Sequence, residues 1–173
     1  MRHRWAIFAL GAISGVSLLA AGVLVAVYSG AWVTETRGGP SSIEKYFASA
    51  AVDASLRRHA PAAVNPFAGN DVAIAAGMKI YRNNCAGCHG DSDRKPSQFG
   101  LGFFPPVPQF PLEPTRRSQA QAFYVVKNGI RRTGMTAWGR IMSDDDIWRV
   151  VSFVTRMDSL PAVVDSAWRS KAH

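Results

Sequence analysis

From Trp5 to Trp32 the chain carries no Asp, Glu, Lys, Arg or His, a run of 28 residues. As a helix, such a run satisfies its own backbone hydrogen bonds in lipid. At about 1.5 Å per residue that helix exceeds the ~30 Å hydrocarbon core, so it can span with tilt. Arg2, His3 and Arg4 precede the run, whereas Glu35 and Arg37 follow it and cancel. This asymmetry places the N-terminus in the cytoplasm and the remainder of the chain outside. Trp5, Tyr28 and Trp32 stand where interfacial aromatics belong. The competing reading is a cleaved signal peptide ending at Ser29-Gly30-Ala31. Signal cores run about 7–15 residues, half of this one, so a retained anchor over residues 1–34 is the better reading. Either way the downstream part is exported. Gly11, Gly15, Leu18 and Gly22 share one helical face. That face reads either as ordinary glycine enrichment or as a packing surface for another subunit's membrane helices.

The anchor explains why only 18% of the 173 residues are charged while 47% are hydrophobic. The length allows one ordinary domain plus extras. The apolar content excludes disorder throughout, and two cysteines, Cys85 and Cys88, exclude a disulfide scaffold. A net charge of +8 raises the question of nucleic acid or membrane binding.

Residues 35–69 read as an extracytoplasmic spacer. Gly38-Gly39-Pro40-Ser41-Ser42 breaks the chain, Ser42 is a candidate cap, and a helix is predicted from about Ile43 to His59, ended by Pro61. The domain is placed at 70–173, with its compact part ending near Pro161 and a tail beyond. Asn70 is a candidate N-cap for a helix carrying Ala73, Ala76, Gly77, Ile80 and Tyr81. Gly77 at mid-helix costs about 1 kcal/mol against Ala, which makes sense if another backbone approaches there. Ser118 with Gln121 forms a capping box for a second helix ending at Asn128-Gly129. Ser143 with Asp146 opens a third in the same way, with the stripe Ile147, Val150, Val151 and Val154. No strand pattern or internal repeat appears, so the fold class is all-α. Between Gly90 and Thr115 a proline-rich loop carries Phe99, Leu101, Phe103 and Phe104. A large apolar cofactor would give these side chains a surface to bury against.

Cys85-Ala86-Gly87-Cys88-His89 follows the first domain helix directly. Cys-x-x-Cys-His is the haem c attachment signature: two thiols one turn apart can add to the two vinyl groups, and the adjacent imidazole reaches the iron. A zinc site would need four ligands, and no second Cys or His pair exists. A thioredoxin-like disulfide would need a βαβ context, which is absent. The remaining axial ligand must be His or Met. Met135 lies in a Gly-flanked loop away from any apolar stripe, a poor core residue and a good thioether ligand. Met142 is its rival, Met78 and Met157 read as helix packing residues, and His59 and His173 lie outside the compact part.

At this point residues from about Asn70 to Leu160 resemble a class I c-type cytochrome. The resemblance rests on the helix with Gly77 and Tyr81, the Cys85–His89 motif, the Met135 loop and the helix with Trp148. The stretch from Tyr124 to Met135 resembles the distal-ligand region of membrane-anchored bacterial mono-haem cytochromes c. The resemblance implies crossing N- and C-terminal helices, one covalent haem c, His89 as proximal ligand and Met135 as distal ligand. It also implies a proline carbonyl accepting the hydrogen bond from the ligand imidazole. Pro105 is the first choice for that role, with Pro106 and Pro108 as alternatives. One departure is Thr136, where many relatives carry proline after the ligand Met. The implied location is a bacterial inner membrane, single-pass, with the haem domain periplasmic.

Electron transfer is the leading function class, since His/Met ligation closes the iron and raises its potential. No Ser/His/Asp set, phosphate loop or carboxylate pair suggests an enzyme or a small-molecule substrate. The rival classes are haem-based catalysis or gas sensing after Met135 leaves, and a mainly structural subunit. Expected partners are redox proteins or subunits of a membrane complex, and not nucleic acid. Within residues 71–173, 14 Lys and Arg against 9 Asp and Glu leave +5. Arg116, Arg117, Arg131 and Arg132 read either as a steering rim for an acidic partner or as a solvated face.

Overall fold

A computed structural model describes residues 2–31 and 34–170. The expected interfacial Trp32 and the terminal His173 lie outside the described residues. The described chain is all helical, with no strand, and divides into two compact units, residues 1–35 and 36–173.

The first unit is α1 (Arg2–Tyr28), long and apolar enough to cross a membrane. Its 27 residues span about 40 Å at helical rise. It ends at Gly30, whose φ of +73° an L side chain rarely adopts. Apart from the neighbouring backbone of α1 itself, no described atom lies within 4 Å of a Cβ placed on Gly11, Gly15 or Gly22.

The second unit begins with α2 (Ser42–His59), and its cap corrects the expected one. Ser41, not Ser42, accepts the Glu44 N–H at 3.2 Å, and the Glu44 carboxylate returns to the Ser41 N–H at 3.4 Å. A cap at Ser42 would place Lys45 three residues on, and an ammonium cannot complete the box. Leu56 buries the inner face of α2, and the His59 ring stacks near Tyr124 at 6.4 Å. The chain then turns at Asn65, which is 5% exposed. Its Nδ2 donates to the Trp148 carbonyl at 3.3 Å and to Ser152 Oγ at 2.7 Å. The region read as a spacer is therefore hydrogen-bonded into the core.

Asn70 caps α3 (Asp71–Asn84) by accepting the Ala73 N–H. Short helices α4 (Ala86–His89) and α5 (Gln98–Leu101) follow, then α6 (Gln119–Asn128), capped by the Ser118/Gln121 box and stopped by Gly129. Ser143 caps α7 (Asp144–Val154) through the Asp146 N–H, but the second half of the expected box is missing. The Asp146 carboxylate instead accepts from Ser143 Oγ and from Arg149 at 2.9 Å.

The core has two parts joined by α7. Tyr81, Phe153 and Trp168 form an aromatic triad with centroids 5.1–5.8 Å apart, together with Ile74, Met78 and Val150. On the other side Phe123 stacks on Trp148 at 4.0 Å beside Ile147 and Val151. Trp168 comes from α8 (Ala162–Arg169), which the sequence reading treated as tail. Val164 and Trp168, one turn apart, are both buried, and Arg82 covers the indole at 4.8 Å. Burying such side chains contributes about 1.5–3 kcal/mol each.

α3 and α7 cross at Gly77, where a Cβ would strike the Arg149 carbonyl. Gly77→Ala should therefore destabilise the chain by about 1–3 kcal/mol through overpacking. Gly38→Ala, at a position with nothing within 4 Å, should not. Thermal unfolding of the two variants in detergent checks this: equal melting temperatures would contradict the close crossing.

Candidate functional site

The site grows from the C-terminal end of α3. Tyr81 is fully buried, and its hydroxyl donates to the Gly90 carbonyl at 2.8 Å, tying the residue after His89 to the core. Burial drives the Tyr81 pKa up, with the Cys85 and Asp91 charges adding to it, so the hydroxyl remains a donor. Cys85 caps α3, and its carbonyl accepts the Cys88 N–H at 3.1 Å and the His89 N–H at 2.9 Å. One turn thus presents two free thiols and an imidazole together. Burial, followed by the Cys88 charge, pushes the Cys85 thiol up to about 12.

His89 Nδ1 lies 2.9 Å from the Pro108 carbonyl. A carbonyl can only accept, so Nδ1 carries the proton and Nε2 is left with its lone pair. Desolvation lowers the His89 pKa, with the Pro108 bond opposing, which keeps the ring neutral. The expected acceptor Pro105 is thereby corrected to Pro108; Pro105 follows a cis peptide after Phe104 and lines the cavity instead. The reason lies in the register of the loop. The Phe110 N–H donates to the His89 carbonyl at 3.0 Å, and the Phe110 ring stacks on the imidazole at 4.5 Å and 4°. Those contacts bring residue 108, two before Phe110, to Nδ1.

Sequence reasoning missed the clasp behind this loop. Gln109 Nε2 donates to the Cys88 carbonyl at 3.0 Å and to the Val107 carbonyl at 2.8 Å. Its Oε1 accepts the Ser97 N–H at 2.7 Å, and Ser97 Oγ donates to the Gly87 carbonyl at 2.5 Å. Gly100 sits where a Cβ would strike the Cys88 carbonyl. No local pattern marks Gln109, because its partners lie up to 21 residues away.

The Met135 loop closes on itself. Thr133 Oγ1 donates to the Ile130 carbonyl at 2.8 Å and accepts the Met135 N–H at 3.1 Å, while the Ile130 N–H donates to the Met135 carbonyl at 3.0 Å. Gly129, at φ +69°, lets the chain fold back: a Cβ there would meet the Met135 carbonyl at 2.7 Å. Thr133 thus holds the loop from before Met135, although Thr136 has replaced the proline after it. This is a Ser/Thr turn of the kind a hydroxyl two residues ahead can signal.

Cys85, Cys88, His89, Met135, Tyr81 and Pro105 all line one cavity of about 890 Å³. Its walls are mostly apolar, with Val125 and Val126 from α6 and Val150, Val151 and Val154 from α7. The volume sits in the upper range for organic ligand sites. Among the described methionines only Met135 lines this cavity; Met78 is in the α3–α7 core, and Met142 and Met157 pack against core clusters. Among the described residues no group of three or more His, Cys, Asp or Glu is placed to hold a bare metal ion. A large apolar cofactor carrying its own metal, attached by two thiols and one imidazole, fits these residues.

Residues 72–154 match the family model described as "Cytochrome C oxidase, cbb3-type, subunit III". Neither the curated proteins nor the solved structures contain a match to the chain. The family match supports a class I c-type cytochrome, with haem binding and electron transfer as its activity.

Proposed function

Starting from a class I c-type cytochrome domain at residues 72–154, we propose that the chain is a membrane-tethered electron carrier. It holds one haem c, bound covalently through Cys85 and Cys88, with His89 and Met135 as iron ligands. The observation that carries this reading is the convergence of both cysteines, His89 and Met135 on one cavity of about 890 Å³. When bound, haem supplies a one-electron iron couple. Cys85 and Cys88 would hold it through thioether links at its two vinyl groups, each thiol hydrogen passing to a vinyl carbon so that nothing is released. Pro108 and Phe110 orient the His89 ring so that Nε2 is the ligating atom. Met135 would supply the second protein ligand to the iron, which would leave no position open for a substrate. The valine walls of α6 and α7 exclude water. This is the site of an electron carrier rather than an enzyme.

α1 is the anchor, with the N-terminus cytoplasmic and the haem domain on the periplasmic side. The oxidase-subunit name of the matching family supports a place in, or next to, a membrane redox complex. Acidic faces on such partners would suit the basic balance of the domain.

The purified chain should give a haem c pyridine-haemochrome spectrum and a reversible reduced-minus-oxidised difference. Met135→Ala should keep the haem attached, lose the Met–iron band, lower the midpoint potential and bind CO rapidly. Met142→Leu should change none of these. Rapid CO binding by the unaltered reduced chain would instead favour catalysis or gas sensing, and the absence of a haem c spectrum would sink the proposal. Replacing residues 2–31 by a cleavable export signal should move the haem protein from the membrane to the soluble fraction. Retention in washed membranes would contradict anchoring by α1.

A further inference from the structure

The cavity has one charged edge, and part of it lies outside the matched family segment, which begins at residue 72. Asp53, Arg57, Glu113, Arg116 and Arg117 all line it. Asp53 and Arg57 are one turn apart on α2, so they share a helix face. Arg117 reaches across to Asp53 at 2.9 Å, which brings the 116–117 backbone against that same face. Asp53 and Arg117 satisfy each other. Arg57 and Arg116 have no ion-pair partner among the described residues. Two exposed guanidinium groups without an ion-pair partner thus stand at the edge of an apolar cavity, with the exposed Glu113 carboxylate beside them.

We propose that α2 is a wall of the cofactor site, and that Arg57, with Arg116, receives the carboxylates of the bound macrocycle. This rests on the haem reading above, since haem carries two propionates on an otherwise apolar ring. A guanidinium is the side chain best suited to hold a carboxylate, through two parallel N–H···O bonds. Asp53 neutralises Arg117, so this pair leaves Arg57 and Arg116 as the net positive charge at the edge. Residues 36–70 are then not merely a tether between anchor and domain. The Asn65 clasp to Trp148 and Ser152 holds the far end of this segment on α7.

The test is the midpoint potential of the full-length holoprotein in detergent at fixed pH, for Arg57→Gln, Arg57→Lys, Asp53→Asn and Arg58→Gln. A cation near the iron favours the reduced state, so Arg57→Gln should lower the reduced-to-oxidised ratio at the wild-type midpoint about threefold. That is roughly 28 mV for a one-electron couple at 59 mV per decade. Arg57→Lys should recover part of the loss. Asp53→Asn removes a negative charge and should move the potential the opposite way. Arg58 is exposed and does not line the cavity, so Arg58→Gln should have little effect. Equal shifts for Arg57→Gln and Arg58→Gln would overturn the proposal, as would shifts of the same sign for Arg57→Gln and Asp53→Asn. A wild-type chain with no haem c spectrum would overturn the haem reading itself. That result is distinguishable from a haem-bearing chain whose potential ignores Arg57.

Discussion

Where α3 passes over α7, the hydrogen of Gly77 is all that separates the α3 backbone from the Arg149 carbonyl. Contact at that range fixes the helix pair in angle and register, because any side chain at 77 would force them apart. From this crossing α3 continues two turns to Cys85 and delivers the Cys-x-x-Cys-His turn to the cavity rim. α7 presents Val150 and Val151 as the cavity floor. Tyr81 shows how tightly the two roles are joined. Its ring packs with Phe153 and Trp168, while its hydroxyl holds Gly90. Core and site therefore share residues, and a thin helical core can position a large cavity.

The two loops that complete the cavity have little regular structure, so side chains take over the work of backbone ladders. Gln109 binds three backbone groups, Ser97 adds a fourth contact, and Gly100 and Gly90 allow the strands of the loop to close on the motif. Thr133 does the same in the Met135 loop. Gln109 is half-buried and satisfies donors and acceptors at once, so replacing it leaves several partly shielded backbone groups without a partner. Order in these loops rests on a few polar side chains, whereas order in the helices is spread over many apolar ones.

This difference decides what could be read from the chain. Asn70, Ser118 and Gly129 act within four residues of themselves, and the capping and stop signals they give match the structure. The Gly77 approach was legible because a mid-helix glycine is costly unless something comes close. Ser41 was missed through a one-residue ambiguity that the Glu44 spacing resolves. Pro161 signals the end of one helix in the sequence but is also the N-cap of α8, where Val164 and Trp168 repeat at helical spacing. Pro108 was passed over for Pro105 because a choice among prolines in a loop depends on long-range register, and Phe110 sets that register. The Gln109 clasp and the Asp53–Arg117 bridge, which joins residues 64 apart, left no local signature at all.

Charge follows the same division. A net +8 over the whole chain suggested a polyanion as partner, but the structure places the cations in different settings. Arg149 lies over the Phe67 ring at 4.5 Å and pairs with Asp146, and Arg82 covers Trp168, so both serve packing. Lys127 pairs with Asp144 at the start of α7, and Arg169 pairs with Asp165 one turn back on α8. Exposed pairs of this kind contribute little. Arg57 and Arg116 have no such ion pair among the described residues and line the apolar cavity, at the edge that α2 and residues 116–117 share. Arg57 and Arg116 are exposed to water as well as lining the cavity, so their charge is available to any carboxylate carried by a group seated there.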